Sequence, residues 1–112
     1  MPPDTADMPR WIGPGGPRLR LEAHFGDRVV ACFPDRPESL YALLAEAAAR
    51  RPGGEAVVCG ADRLTYSDLA AAVERLSAAL AAEGVAAGDR VAMLIGNRTE
   101  FVTVLFALAR LG

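Results

Sequence analysis

The stretch Arg90-Val91-Ala92-Met93-Leu94-Ile95 is apolar at every position after the arginine, and Gly96 follows at once. A strand with one wet face alternates apolar and polar residues. An unbroken apolar run reads as a strand covered on both faces, the usual condition of parallel strands in α/β proteins. Parallel strands reach each other only through crossover connections, so this run restricts the chain to strand–helix units packed in layers. The next residues supply the helix: Asn97 and Glu100 have capping-box spacing, and Phe101, Val104, Leu105 and Leu108 recur at helical period. Val102 and Phe106 are apolar as well, so this helix expects burial on more than one side. Residues 90–111 therefore predict a strand-to-helix unit whose returning strand is missing.

Upstream, two hairpins and two helices are expected. Leu19, Leu21, Ala23 and Phe25 alternate with polar residues, Gly26-Asp27 makes a two-residue turn, and Arg28 to Phe33 is again β-prone. Ser39 is placed to cap a helix with apolar positions Leu40, Leu43, Leu44, Ala47 and Ala48, ended by Pro52-Gly53-Gly54. Ala56 to Cys59, the turn Gly60-Ala61-Asp62, and Arg63-Leu64 form a second hairpin. Thr65 and Asp68 then have capping-box spacing, and the helix they open has Leu69, Ala72, Val73, Leu76 and Leu80 on one face. Gly84 ends it, with Val85 placed for the contact that accompanies a glycine C-cap.

Composition narrows the function. Hydrophobic residues make up 52% of the 112 residues and charged residues 23%, a globular balance, although much of the apolar share is alanine and the core will be thin. All twelve cations are Arg, so no lysine can clamp a phosphate or form a Schiff base. Arginines alternate with acids rather than forming a basic stripe, which argues against nucleic acid. The longest apolar run near the C-terminus is far shorter than the roughly 20 residues of a membrane span, and the N-terminus lacks a secretory signal, so a cytoplasmic location is expected. Five of the eight prolines fall in residues 1–17, and residues 1–18 read as a disordered Pro/Gly-rich tail. Pro14 interrupts Gly13-Pro14-Gly15-Gly16 and Pro17 follows it, which removes the strand–loop–helix context a phosphate cradle needs.

The combination Leu64-Thr65-Tyr66-Ser67-Asp68-Leu69, Gly84-Val85, Gly88-Asp89-Arg90-Val91-Ala92, Asn97 and Glu100-Phe101 resembles the N-terminal segment of the adenylate-forming superfamily. That superfamily comprises acyl-CoA synthetases, luciferases and the adenylation domains of nonribosomal peptide synthetases. Leu64 to Leu69 resembles its first core motif, with Asp68 where Glu is usual, and Leu108 to Gly112 resembles the start of its second. The resemblance implies an α/β fold: the incomplete N-terminal part of the synthetase large domain, built of β-hairpins plus strand–helix units. Residues 1–18 would be the tail, 19–37 a hairpin extension and 38–112 the truncated synthetase segment. Asn97 and Phe101 look more like acyl-CoA synthetases than peptide-synthetase adenylation domains.

The implied activity is attack of a carboxylate on the α-phosphate of ATP, giving an acyl adenylate, and then acyl transfer to the thiol of CoA. ATP, Mg²⁺ and CoA are thus implied for the full-length family member. The family's phosphate loop with its Lys, its Mg²⁺-positioning acid, its ribose-binding acid and its C-terminal-domain Lys all lie beyond the resembling segment. No catalytic, cofactor-binding or metal-ligating residue is therefore assigned in this chain.

Individual residues support that restraint. Asp68 reads as a helix cap, Asn97 as a cap opening the last helix, and Cys32 and Cys59 as reduced, buried or half-buried thiols without a CxxC partner, with Cys59 inert. His24, the single histidine, reads as a surface residue with no Ser or Cys partner in a recognisable arrangement. Two readings from different classes remain: an N-terminal fragment of an acyl-CoA synthetase, inactive alone, with a fragment of a nonribosomal peptide synthetase adenylation domain as its alternative within the family, or a small interaction protein or split subunit. Either would need the remainder of the synthetase domain or a partner chain to cover apolar surface.

Overall fold

The computed structural model describes residues 18–112. The expected Pro/Gly-rich tail, Arg18 apart, lies outside the described residues, as does Trp11. The chain divides into two compact units, Met1–Arg36 and Pro37–Gly112.

In the first unit, β1 (Arg20–His24) and β2 (Arg28–Cys32) form an antiparallel hairpin in which His24 faces Arg28 and Arg20 faces Cys32. The loop is Phe25-Gly26-Asp27, three residues rather than the expected two. Phe25 has φ 56° and Gly26 φ 80°. Glycine adopts that region freely, whereas a phenylalanine there costs about 1–2 kcal/mol. Leu21 and Val29 are 56% and 70% exposed, so the pair is held by its ladder and its polar side chains more than by apolar burial.

The second unit contains α1 (Leu40–Arg50), a hairpin of β3 (Glu55–Cys59) and β4 (Asp62–Thr65), α2 (Tyr66–Ala82) and α3 (Thr99–Leu111). Ser39 caps α1, its Oγ accepting from the Ala42 amide at 3.0 Å. The β3–β4 turn is Gly60-Ala61, with Cys59 facing Asp62 and Gly60 at φ 60°, where glycine suits the first central position of a two-residue hairpin loop. This turn is one residue shorter than expected. At the far end of α2, the Gly84 amide bonds Ala81 O and the Val85 amide bonds Leu80 O, both at 3.0 Å, with Gly84 at φ 96°. These paired bonds make a Schellman cap and satisfy carbonyls that the helix end would otherwise leave open.

The core is Leu44 of α1, Leu69 and Val73 of α2, and Ala107 of α3. Val57, Leu64, Tyr66, Val102 and Phe106 pack against it. Ser77 is fully buried on the same face of α2; its hydroxyl donates to Glu74 O at 3.0 Å and accepts from Arg110 Nη1 at 2.7 Å. Arg110 also lies 5.6 Å from the centre of the Tyr41 ring, so one α3 side chain ties α1 and α2 together. Among the described residues, no helix is long and apolar enough to cross a membrane.

Two expectations need correction. Residues 90–95 form no strand. The parallel neighbours that would define the strand through hydrogen bonds are not among the described residues, and Leu94 is fully exposed. Asn97 does not cap α3 either: the N-cap is Arg98, with no side-chain cap bond. The helix starts one residue later than the Asn97–Glu100 spacing implied, so Glu100 stands at N2 and the reciprocal reach of a capping box is lost. Among the described residues the architecture remains mixed α/β, with two small antiparallel hairpins and three helices, consistent with part of an adenylate-forming domain.

Candidate functional site

The segment resembling the first core motif spans β4 and the start of α2. A helix N-terminus can hold a phosphate only through free amides, and here four are already bound. The Thr65 amide donates to Asp68 Oδ2 at 3.1 Å and the Asp68 amide to Thr65 Oγ1 at 3.1 Å. The Tyr66 and Ser67 amides donate to Gly54 O and Pro52 O, each at 2.9 Å. Asp68 Oδ2 also accepts from Thr65 Oγ1 at 2.7 Å, and the Thr65 side-chain and backbone bonds hold the Asp68 carboxyl below its ordinary range. Asp68 is a cap, as its spacing predicted, and this helix end offers no anion site. The motif locks the Pro52–Gly54 loop, β4 and α2 into one unit.

The other place where a ligand could meet a strand end is the Gly96–Asn97 turn before α3. Cys59 Sγ donates to Asn97 O at 3.2 Å, pinning the turn to the β3–β4 hairpin. The Glu100 carboxyl occupies the start of α3. Its own backbone amide is the main influence holding it below the usual range, with Arg98 and Thr99 adding to the effect. A carboxylate already seated there repels a phosphate. An apolar hollow of about 200 Å³ between Leu44, Val57, Leu69 and Phe106 has only Tyr66 as a polar lining residue. Neither these helix ends nor this hollow offers a set of groups that fits ATP or its Mg²⁺.

The hairpin of the first unit carries a cluster of polar side chains. Opposed residues of an antiparallel pair share a face, so Arg20, Glu22, His24 and Cys32 lie on one side. His24 Nε2 is 3.4 Å from Cys32 Sγ and 3.3 Å from Glu22 Oε2. Arg36 Nη2 and Arg20 Nη2 each approach a Glu22 oxygen at 2.6 Å. Sequence reading left His24 without a Cys partner, and the structure overturns this. The missed signal is the loop length: a two-residue turn pairs Phe25 with Arg28 and puts Cys32 on the face opposite His24, whereas the three-residue loop puts both on one face.

The Arg36 hydrogen bond first, and then that of Arg20, hold the Glu22 carboxyl down to about 2 from an ordinary 4.5. A carboxyl depressed on folding stabilises the hairpin above the unfolded value and loses that contribution as pH falls through the folded one. The window therefore runs from 4.5 down to about 2. A carboxyl-carbon NMR titration is expected to place Glu22 at about 2, and Arg36→Ala to return it toward 4.5. A wild-type midpoint at 4.5 would contradict the paired geometry.

A family model described as AMP-binding enzyme matches residues 44–112, more than half of the chain. Salicyl-AMP ligase / salicyl-S-ArCP synthetase of Mycobacterium tuberculosis is 34% identical over 124 aligned positions covering 100% of this chain and 21% of that protein. Tyrocidine synthase 3 of Brevibacillus parabrevis is 36% identical over 69% of this chain and 1% of that protein. Acetoacetyl-coenzyme A synthetase of Rhizobium meliloti is 46% identical over 45% of this chain and 8% of that protein. No solved structure gives a significant match. The chain spans at most about a fifth of the length of these relatives.

Proposed function

The chain belongs to the AMP-binding enzyme family, and on that premise we propose that it forms the N-terminal portion of an ATP-dependent acid–thiol ligase, contributing scaffold rather than reacting groups. One observation carries this reading: the segment with family resemblance is folded, while Asp68 and the first amides of α2 are engaged in its cap and the Glu100 carboxyl occupies the start of α3. The exposed apolar side chains of Val58, Val91, Leu94 and Phe101 support the view that the remainder of the synthetase domain covers them. A small interaction protein would present them to another chain.

The acyl group and its acceptor are proposals of a finer kind. Similarity to the salicyl-AMP ligase runs through the whole chain, including residues 1–43 that the family match leaves out, and supports an acid activated as its adenylate and passed to a carrier-protein thiol. Asn97, Phe101 and the similarity to acetoacetyl-coenzyme A synthetase support the second reading, a CoA acceptor. Use of ATP and Mg²⁺ by the full-length protein is common to both readings, and a cytoplasmic setting is proposed with them.

The test is to translate the DNA that follows the Gly112 codon and to assay both forms. We expect a Ser/Thr/Gly-rich, Lys-containing loop downstream. We also expect carboxylate-dependent exchange of pyrophosphate into ATP by the joined protein and none by residues 1–112. Turnover by pure 112-residue chain would overturn the scaffold reading.

A further inference from the structure

We infer that Glu22, His24 and Cys32 form a zinc-binding site on the β1–β2 hairpin, a property independent of the ligase reading. The three side chains offer one oxygen, one nitrogen and one sulfur, all within 4.8 Å of one another. Tetrahedral zinc with usual bond lengths separates a sulfur from a nitrogen ligand by about 3.5 Å, and a nitrogen from an oxygen ligand by about 3.3 Å. The hairpin already holds Cys32 Sγ and His24 Nε2 at 3.4 Å, and His24 Nε2 and Glu22 Oε2 at 3.3 Å. Two edges of the coordination tetrahedron are thus present before any metal arrives. All three residues are partly buried, which limits the freedom lost on binding, and water would supply the fourth ligand.

Ligand type selects the metal. A thiolate with an imidazole favours zinc and other borderline-soft ions over Mg²⁺ or Ca²⁺, which require oxygen cages. Binding takes the proton from the thiol, so the thiolate and carboxylate together balance the charge of Zn²⁺. Arg20 and Arg36 act in two directions. They orient Glu22 through hydrogen bonds, as partners of a ligating carboxylate do, and their positive charge opposes the cation. Affinity is accordingly below that of a closed four-ligand structural site.

The test uses the untagged 112-residue chain carrying Cys59→Ser, which leaves Cys32 as the single thiol. Titration with cobalt(II) chloride is expected to give a thiolate-to-cobalt charge-transfer absorption that saturates at one equivalent and disappears on adding zinc chloride. Cys32→Ser should abolish the band, and His24→Gln should weaken cobalt binding at least about tenfold. The far-ultraviolet circular dichroism of each variant should match the parent, which separates ligand loss from unfolding. If Cys32→Ser perturbs that spectrum, the His24→Gln titration decides. Absence of the band in the parent, its persistence in Cys32→Ser, or an unchanged affinity in His24→Gln would overturn the site.

Discussion

Leu69→Ala is expected to lower the unfolding free energy of the chain by about 2–5 kcal/mol. Leu69 is 2% exposed on α2 and belongs to a core whose other buried apolar members, among the described residues, are Leu44, Val73 and Ala107. Removing its branched end deletes contacts and leaves a void that three helices cannot close without shifting. Small domains have only about 5–15 kcal/mol to lose, so the variant should be largely unfolded at temperatures where the parent is folded. Urea unfolding followed by circular dichroism measures this directly. Leu94→Ala is the control: Leu94 is fully exposed, so its truncation should change stability by no more than about 0.5 kcal/mol. Equal effects at the two positions would mean that the helical core is not what holds the unit together. In the joined protein Leu94→Ala should become costly, because the proposed remainder would cover it.

Ala107→Leu is expected to cost about 1–3 kcal/mol for the opposite reason. Ala107 is 0% exposed, and its small side chain lets α3 sit close to the core residues of α1 and α2. Three added carbons must push α3 outward or force its neighbours off their rotamers. An outward shift would also strain the Arg110 bond to the Ser77 hydroxyl. Thermal melts should show the loss, and near-ultraviolet signals from Tyr41 and Tyr66 should report the displaced packing. Ala45→Leu, on an exposed position of α1, makes the same chemical change without the crowding and should lie within about 0.5 kcal/mol of the parent.

Helical periodicity marks Leu69 without ranking it, and it does not mark Ala107, since the expected apolar positions of the last helix are Phe101, Val102, Val104, Leu105, Phe106 and Leu108. The stripe Leu69, Val73, Leu76 and Leu80 was legible, but burial is deepest at Leu69, Val73 and Ser77. Ser77 was not readable as core, because a serine on an apolar stripe is tolerated only when partners arrive, and Arg110 comes from 33 residues away. The caps divide in the same way. Ser39, the Thr65–Asp68 box and the Gly84–Val85 terminus act through bonds spanning a few residues, so local sequence carried them. Asn97 failed because the turn before α3 is held by Cys59 from the neighbouring hairpin, and its position moved the helix start by one residue.

By itself, the sequence determined the family resemblance, the helices and most of their ends, the existence of both hairpins, and the lack of any lysine for phosphate chemistry. Each of these rests on residue identity or on spacings shorter than a helical turn or two. Tertiary structure alone decided whether residues 90–95 pair as a strand, which depends on neighbours the described residues do not include. It also decided the face on which Cys32 meets His24 and Glu22. Side chains alternate along a strand, so one residue more or less in the loop reverses every pairing across the hairpin. The difference between a two-residue and a three-residue turn is small in local energy, and in this hairpin it converts a lone histidine into the centre of a cluster.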